Sequence, residues 1–403
     1  LSLYAAYAIF GLLSLYPGVG MLALVSVASA ALAIRYESVS LAVIGILGAF
    51  LAPVATSNVI GSSSQIENVG AGFQLMAYVI VIDLGVLALS TFRSWRWFTM
   101  LALIGSLFTF GNWYIQYEQE ITVLTAQGSL TIIFLIFAAS TTLFHMIWRR
   151  EPKVFDMTLM ILNATAFFGI SYGILWDEFR EWMGGFTVVV ALFYGGMAYL
   201  ALIRTREQVK ISLMALGIAL IMLTIAVPVQ LGGPWISIAW AAEAVILLWL
   251  SYTLHMWQLR VYSVGIFGLF LIWLFTIDTI SAVEANLTPL ANEYLPMYLF
   301  GVAAMFLGAY LARRHGATTI EEEVVLFPAL LVAGNVILTV AVPIQVDPIW
   351  VAVTWAAEAV ALMWFSFRLN IIELRVISVG VFATLFAWLL VIDTPVDFQA
   401  FDN

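Results

Sequence analysis

The sequence predicts an all-α protein, a polytopic transmembrane helical bundle of about 15 spans. Three observations support this class: an extreme apolar composition, long apolar blocks, and basic residues confined to alternate loops. Apolar residues make up 64% of the 403 positions, and charged residues make up only 10%. Soluble domains carry roughly 45–50% apolar and about 25% charged residues, so a water-soluble fold could not cover this surface.

The apolar blocks are about 18–22 residues long, which at ~1.5 Å per residue spans a hydrocarbon core of ~30 Å. Outer-membrane barrels show alternating segments of ~10 residues instead. The first block begins at Leu1, without a Met, and we expect the chain to be a fragment of a longer protein. The predicted spans lie at 2–16, 19–34, 39–55, 71–92, 95–116, 126–148, 154–176, 186–203, 210–228, 234–254, 257–277, 294–312, 324–344, 348–367 and 374–392.

The basic residues predict the orientation, because Lys and Arg accumulate in cytoplasmic loops. Of the 15 Lys and Arg residues, only Arg180 falls on the other side. The rest follow the even-numbered spans: Arg35, Arg93, Arg96, Arg149, Arg150, Lys153, Arg204, Arg206, Lys210, Arg260, Arg313, Arg314, Arg368 and Arg375. We therefore expect a protein of the prokaryotic cytoplasmic (inner) membrane with these loops in the cytoplasm.

The opposite side is predicted to be an acidic outer rim, which accounts for most of the net charge of −9. This charge balance argues against nucleic acid as a partner. Membrane lipids and other membrane subunits are the expected partners. The rim residues are Glu67, Glu118, Glu120, Asp177, Glu178, Glu181, Asp278, Glu284, Glu293, Asp347, Asp393, Asp397 and Asp402.

Motifs that would indicate an enzyme are missing from the sequence. Cysteine is absent, which excludes disulfides, thiolate metal sites and cysteine nucleophiles. His145, His255 and His315 stand near the cytoplasmic boundary without a second ligand at metal-binding spacing. There is no phosphate-binding loop or dinucleotide fingerprint. We predict no catalytic residue, no cofactor and no metal, and a non-enzymatic protein is favoured.

An internal repeat is the second informative feature. Residues 223–278, which contain AVPVQLGGPWISIAWAAEAV, align without a gap with residues 338–393, which contain AVPIQVDPIWVAVTWAAEAV, at an offset of 115. One period contains four predicted spans, so the copies share an orientation and are parallel repeats. We expect one membrane domain over 1–403 with units at about 1–92, 95–204, 210–312 and 324–403, of which the first two rest on faint echoes.

The tracts YAAYAIFGLL, RYESVSLAVIGILGAFL and the repeated WAAEAV resemble those of a family of large bacterial and archaeal predicted membrane proteins of unknown function. The resemblance covers the whole chain and implies further spans beyond both of its ends. It implies no activity and no catalytic residues.

Buried carboxyl groups are the candidates for chemistry. Glu243 and Glu358 lie near the middle of their spans, and Asp83 lies inside the fourth. A central ionised acid costs ~2.5–3.5 kcal/mol on translocon scales, so it is usually neutral, paired or next to a polar cavity. Trp240 and Trp355 precede the glutamates by three residues, which places each pair on one helix stripe.

The hairpin arginines cannot reach these glutamates. From Glu243 to the end of its helix is roughly 16 Å along the axis, and the same holds for Glu358 and Arg375. Partners should come from neighbouring helices, and the candidates are Thr224, Thr339, Asn335, Asn163 and Asp83.

Three interpretations of these acids and their helices stay open. The first is a transporter or flippase-like protein that handles a small molecule, a lipid or a lipid-linked glycan, with proton coupling at the buried acids. The second is a non-catalytic scaffold or accessory subunit of a membrane complex, in which the glutamates only hold helices in register. A membrane-embedded enzyme is third.

Overall fold

The computed structural model describes residues 43–50, 69–92, 96–119, 121–148, 154–204, 209–285, 288–315 and 323–390, with isolated positions between 21 and 40. All regular secondary structure in these ranges is helical. The predicted span 2–16, all but isolated positions of the predicted span 19–34, most of the loops that carry the basic residues, and Asp393 lie outside the described residues. Contacts divide the chain into two compact units, Leu1–Ala226 and Val227–Asn403.

The described part of the first unit contains six long helices. They are α1 (Val69–Phe92), α2 (Arg96–Tyr117), α3 (Val123–Trp148), α4 (Val154–Phe179), α5 (Met183–Arg204) and α6 (Val209–Gln230), of which the last crosses the unit boundary. α1 packs against α2 and α3, and α4 packs against α2, α3 and α5. Ser212 on α6 donates to the Ala198 carbonyl on α5 over 2.8 Å, which joins the last pair.

α4 and α5 form a hairpin. They are joined by the 3₁₀ turn Arg180–Trp182, and together they make a continuous apolar stretch of 50 residues. Such a stretch would be about 75 Å long if it were straight, more than twice a bilayer core. The Phe134 ring on α3 lies 4.1 Å from Phe167 of α4 and 6.0 Å from Tyr194 of α5, centroid to centroid. The stretch therefore folds back on itself and supplies two spans.

The second unit is built from α7 (Pro234–Leu254), α8 (Trp257–Trp273), α9 (Thr279–Glu284), α10 (Leu295–His315), α11 (Glu323–Gln345), α12 (Pro348–Leu369) and α13 (Ile372–Trp388). A π turn at Leu274–Asp278 connects α8 to α9 without a break. This helical stretch thus extends to Glu284, beyond the end predicted at residue 277. We call α7 with α8 the first hairpin and α12 with α13 the second hairpin.

Both hairpins turn through a left-handed residue. His255 ends α7 with φ 56°, and Asn370 ends α12 with φ 52°. The N–H of Met256 donates to the Ser251 carbonyl over 3.0 Å, and that of Ile371 donates to the Ser366 carbonyl over 3.1 Å. These are αL caps, which satisfy carbonyls that the helix end would leave unpaired.

α10 packs closely against its neighbours because its small residues let helices approach. A Cβ added at Gly301 would stand 2.8 Å from Phe270 of α8, and one at Gly308 would stand 3.1 Å from Phe267. α10 also packs against α7 and α11. Between helices in lipid, such van der Waals contact is a main source of association.

Nine stretches of the described residues are long and apolar enough to cross a membrane, and one of them is the hairpin of α4 and α5. The prediction of a multi-spanning, all-helical membrane protein is confirmed. The count of about 15 spans stays a prediction.

Candidate functional site

Three of the predicted residues come together in the second unit. Glu358 is half-buried on α12, and its Oε1 accepts a hydrogen bond of 2.9 Å from the Thr339 hydroxyl on α11. The indole N–H of Trp355 donates to the backbone carbonyl of the same threonine over 2.9 Å. An unpaired carboxyl group is costly inside a membrane, so at least one of the two glutamates was expected to contact a polar group on another helix. The bond between Glu358 and Thr339 is such a contact.

Asn335 lies one turn before Thr339 on α11 and is buried, but it does not join the carboxyl group. Its amide N–H donates to the Leu331 carbonyl of its own helix over 2.7 Å. The Asn335 Oδ1 and the second oxygen of Glu358, Oε2, are both buried without a hydrogen-bond partner among the described residues. The site therefore contains two buried acceptor oxygens, one on α11 and one on α12, that no described residue uses.

No cation reaches Glu358 within the described part of the chain. Arg375, at the start of α13, instead donates to the Ser366 hydroxyl over 2.9 Å and stands 4.5 Å from the centre of the Phe367 ring. The expectation that the hairpin arginine lies too far from the glutamate is confirmed for this hairpin. The only described partner of the carboxyl is an uncharged hydroxyl.

The first hairpin shares two features with the second at positions 115 residues earlier, a tryptophan pair and a half-buried glutamate. Trp240 meets Trp273 edge-on with ring centroids 5.5 Å apart, as Trp355 meets Trp388 at 5.4 Å. Glu243 is half-buried on α7, like Glu358 on α12. Thr224 lies in the first unit, where its hydroxyl donates to the Leu220 carbonyl over 3.0 Å.

Small residues hold each hairpin together at the level of its glutamate. Ser263 of α8 donates to the Ala244 carbonyl over 2.7 Å, and Ser378 of α13 donates to the Ala359 carbonyl over 2.7 Å. The accepting alanines follow Glu243 and Glu358 directly in the WAAEAV tract. The tract therefore fixes the backbone next to each acid as well as carrying the acid itself.

Asp83 is separate from this group. It lies on α1 in the first unit, it is fully buried, and its Oδ1 stands 2.5 Å from the Ser106 hydroxyl on α2. Asn163, which was a predicted partner for the acids, donates instead to the Phe134 carbonyl over 3.0 Å. The sequence pointed to Asp83 as a buried acid but gave no means of pairing it with Ser106, 23 residues away.

One acid of the predicted outer rim is buried. Asp278 is 2% exposed and accepts a hydrogen bond from Ser237 at the start of α7, a contact that the sequence did not indicate. The helical stretch continues past residue 277, and this extension carries Asp278 into the packed part of the unit. Because α7 and α8 run antiparallel, Ser237 and Asp278 lie at the same end of the hairpin. The predicted spans 234–254 and 257–277 already implied that these two ends are close.

A second polar pair was missed altogether. Asn292 and Gln345 exchange side-chain amide hydrogen bonds of 2.8 and 3.2 Å, and Gln345 is buried. Asn292 Oδ1 also accepts the backbone N–H groups of Tyr294 and Leu295 at the start of α10. The amide pair therefore ties the end of α11 to the start of α10.

The comparison with known families fits this architecture. A family model described as "Predicted membrane protein (DUF2339)" matches residues 1–299. The chain belongs to that family. The DUF2339 match includes Asp83, Thr224, Trp240 and Glu243, and it ends before the second hairpin. No curated protein and no solved structure matches the chain.

The chemistry open to these buried carboxyl groups is proton exchange and hydrogen bonding. Among the described residues, no group of three or more His, Cys, Asp or Glu side chains is placed to hold a metal ion. The carboxyl groups of Asp83 and Glu358 face hydroxyls rather than cations. Each can therefore be a neutral hydrogen-bonding group or an ionised one, depending on whether it carries a proton.

Proposed function

We propose that this protein is a transporter or flippase-like protein of the prokaryotic inner membrane that moves a lipid or a small amphiphile across the bilayer. The observation that supports the proposal is Glu358, a half-buried carboxyl whose only described partner is the Thr339 hydroxyl. An acid in this setting exchanges a proton without breaking an ion pair. Intramembrane acids of this kind commonly mark substrate paths or proton relays.

The exposed surface of α12 is apolar, which favours an amphiphile as the substrate. Phe365, two turns after Glu358 on the same face, is 45% exposed, and Val353, Val360 and Trp364 are exposed on other faces of the helix. An acyl chain can lie along Phe365 while a polar headgroup forms hydrogen bonds with Glu358 and Thr339. An apolar surface beside a polar group is also compatible with a lipid-linked glycan, because its polyprenyl chain is apolar like an acyl chain.

The two hairpins support a repeated transport unit. They share the tryptophan pair, the serine bond to the backbone, and the αL cap at equivalent positions. We infer that they are parallel copies, in which Glu243 has the role in the first hairpin that Glu358 has in the second. We also propose that the chain contains four repeated units in all, the other two being residues 1–92 and 95–204.

Lipid translocation in vesicles tests this function directly. The purified chain is reconstituted with a fluorescent NBD-labelled phosphatidylglycerol, and dithionite bleaches the probe that reaches the outer leaflet. We expect wild type to expose inner-leaflet probe at a rate that changes with an imposed pH gradient. Glu358→Gln removes the exchangeable proton, and we expect at least a tenfold slower rate with an unchanged melting temperature.

Glu293→Gln is the matched control, because Glu293 is exposed in the loop before α10. Its rate should equal that of wild type. Translocation no faster than in protein-free vesicles would contradict the lipid-transport proposal. A Glu358→Gln variant that keeps the full gradient dependence would eliminate proton coupling at this acid.

A membrane scaffold or accessory subunit is the second candidate. It is favoured by the uncovered surface of α12, where only 28% of the most apolar stretch is buried and Trp364, Phe365 and Phe367 are exposed. A partner subunit would cover such a surface. This candidate predicts no translocation in vesicles and tolerance of Glu358→Gln.

The proposed orientation places the turn of the first hairpin in the cytoplasm. The chain has no native cysteine, so single cysteines at His255 and Glu293 report on the two sides. In intact cells we expect an impermeant thiol reagent to label Glu293→Cys and to spare His255→Cys. The opposite labelling would invert the topology.

A further inference from the structure

The pair Asp83–Ser106 lies outside the proposed transport site, in the other compact unit. Both residues are fully buried, and Ser106 Oγ stands 2.5 Å from Asp83 Oδ1. The same Oγ also lies 2.9 Å from the backbone carbonyl oxygen of Ala102. Ser106 Oγ is therefore within hydrogen-bond distance of two other oxygens, Asp83 Oδ1 and the Ala102 carbonyl oxygen. Each of these two contacts needs one hydrogen.

A serine hydroxyl has one hydrogen to donate and two lone pairs that accept. If Asp83 were ionised, it could donate nothing, and the single Ser106 hydrogen would have to serve two acceptors. If Asp83 carries a proton, its O–H donates to Ser106 Oγ and the Ser106 O–H donates to the Ala102 carbonyl. Each of the two contacts then contains one hydrogen.

The burial of Asp83 also favours its protonated form. Asp83 Oδ2 has no hydrogen-bond partner among the described residues, and Ser106 is the only described partner of the carboxyl group. Val79, Ile82, Val86, Leu103 and Phe110 of the same two helices belong to one buried apolar cluster. An ionised carboxylate with one donor is costly in such surroundings, whereas a neutral acid leaves only a carbonyl oxygen unsatisfied.

Nine other ionisable side chains lie on the described helices α1 to α4. The short helix at 43–50, which reaches α2 through Phe50 beside Gly105, carries none. On α2, Arg96 is ten residues from Ser106 and Tyr114 is eight, or roughly 15 and 12 Å along the axis. The full set on α1 to α4, apart from Asp83, is Tyr78, Arg96, Tyr114, Tyr117, His145, Asp156, Tyr172, Asp177 and Glu178.

We propose that Asp83 and Ser106 form a proton-binding site in the first unit, in which Asp83 carries a proton in the folded protein at pH 7 and donates it to Ser106. The ligand of this site is H⁺. Its occupancy couples protonation to the packing of α1 against α2, since the two helices meet at this bond. The site does not depend on lipid transport, and its test is independent of any substrate.

Glu358 and Thr339 show the same arrangement in the second unit. Thr339 Oγ1 stands 2.9 Å from both Glu358 Oε1 and the Asn335 carbonyl oxygen, so again one hydroxyl hydrogen faces two oxygens. The Asp83 pair carries the inference because both of its side chains are fully buried. Glu358 is half-buried, so a water molecule can supply a hydrogen bond there, and the number of hydrogens does not decide whether the carboxyl group is protonated.

Infrared spectroscopy of the full chain in lipid nanodiscs tests the proposal, because a protonated carboxylic acid has a C=O stretching band that a carboxylate lacks. At pH 7, the wild-type minus Asp83→Asn spectrum should contain this acid band. The matched control is Asp177→Asn in the same unit, where Asp177 is exposed. Its difference spectrum should contain only the carboxylate bands.

Ser106→Ala assigns the band even if Asp83→Asn does not fold. Removal of the hydroxyl that accepts the acid proton should shift the acid band to higher frequency without abolishing it. A carboxylate signal in the wild-type minus Asp83→Asn spectrum, or an acid band that Ser106→Ala leaves unshifted, would overturn the proposal. Loss of the acid band on replacing N-methylglucamine with sodium would also overturn it, in favour of a sodium site.

Discussion

The two hairpins of the second unit have the same internal contacts but different coverage. Each joins its helices through an edge-on tryptophan pair and a serine bound to the backbone beside the glutamate. Yet 50% of the most apolar stretch of α7 is buried, compared with 28% for α12. The internal geometry follows from local sequence, whereas coverage depends on which other helices approach.

α10 accounts for much of this difference, because it packs against α7 and its Gly301 approaches Phe270 of α8. In the described part of the second unit, α12 and α13 pack against each other and against α11. The two hairpins thus have the same internal contacts but differ in how much of their surface other described helices cover.

The largest expected effect comes from Gly301→Leu, which blocks the approach of α10 to the first hairpin. A Cβ there would stand 2.8 Å from Phe270, a side chain with no exposed surface and therefore little freedom to move. Overpacking of this kind costs about 3 kcal/mol at the upper end of the usual range. The unfolding free energy in mixed micelles measures the loss.

Gly265→Leu and Gly380→Leu are the matched controls, since both positions are exposed on equivalent helices. Both should leave the unfolding free energy within about 0.5 kcal/mol of wild type, as surface substitutions usually do. If only one of the two were tolerated, the equivalence of the hairpins would fail. A harmless Gly301→Leu would show that α10 does not need the close approach.

Sequence reasoning succeeded where one strong physical constraint acted alone. Long apolar blocks predicted the class and the helices from α1 onward, and the cost of a bare carboxyl predicted that a buried glutamate would be bonded to another helix. The Glu358–Thr339 bond follows from that cost, because α11 and α12 are consecutive. The tryptophan pairs of the two hairpins lie at positions 115 residues apart, which is the offset of the sequence repeat.

It was less informative where several helices had to be placed together. The pairing of Asp83 with Ser106 depends on the register of α1 against α2, which no periodicity in the sequence specifies. The burial of Asp278 depends on the helical stretch continuing through a π turn to Glu284. An acidic residue directly after an apolar run is ordinarily the end of a span, and this one is not.

The smaller expected effect tests a polar contact that the second hairpin cannot repeat. Ser237 donates to the buried Asp278, while the position equivalent to Ser237 is Ala352, which has no hydroxyl. Ser237→Ala therefore transfers the second hairpin's residue into the first and leaves Asp278 without this donor. Loss of one partner of a buried polar group costs about 2 kcal/mol, which the same unfolding measurement would detect.

The reciprocal variant, Ala352→Ser, should change the unfolding free energy by less than about 0.5 kcal/mol, because Ala352 is only half-buried and changes at accessible positions are small. A second control repeats Ser237→Ala in an Asp278→Ala background, where no carboxyl is left to be orphaned and the cost should largely disappear. If Ser237→Ala were neutral in the wild-type background, Asp278 would have to find another partner, and the hydroxyl would not be what keeps an acid buried there. A cost confined to Ser237→Ala with Asp278 present would establish that the two hairpins, alike at their glutamates, are stabilised differently at the end where Asp278 lies.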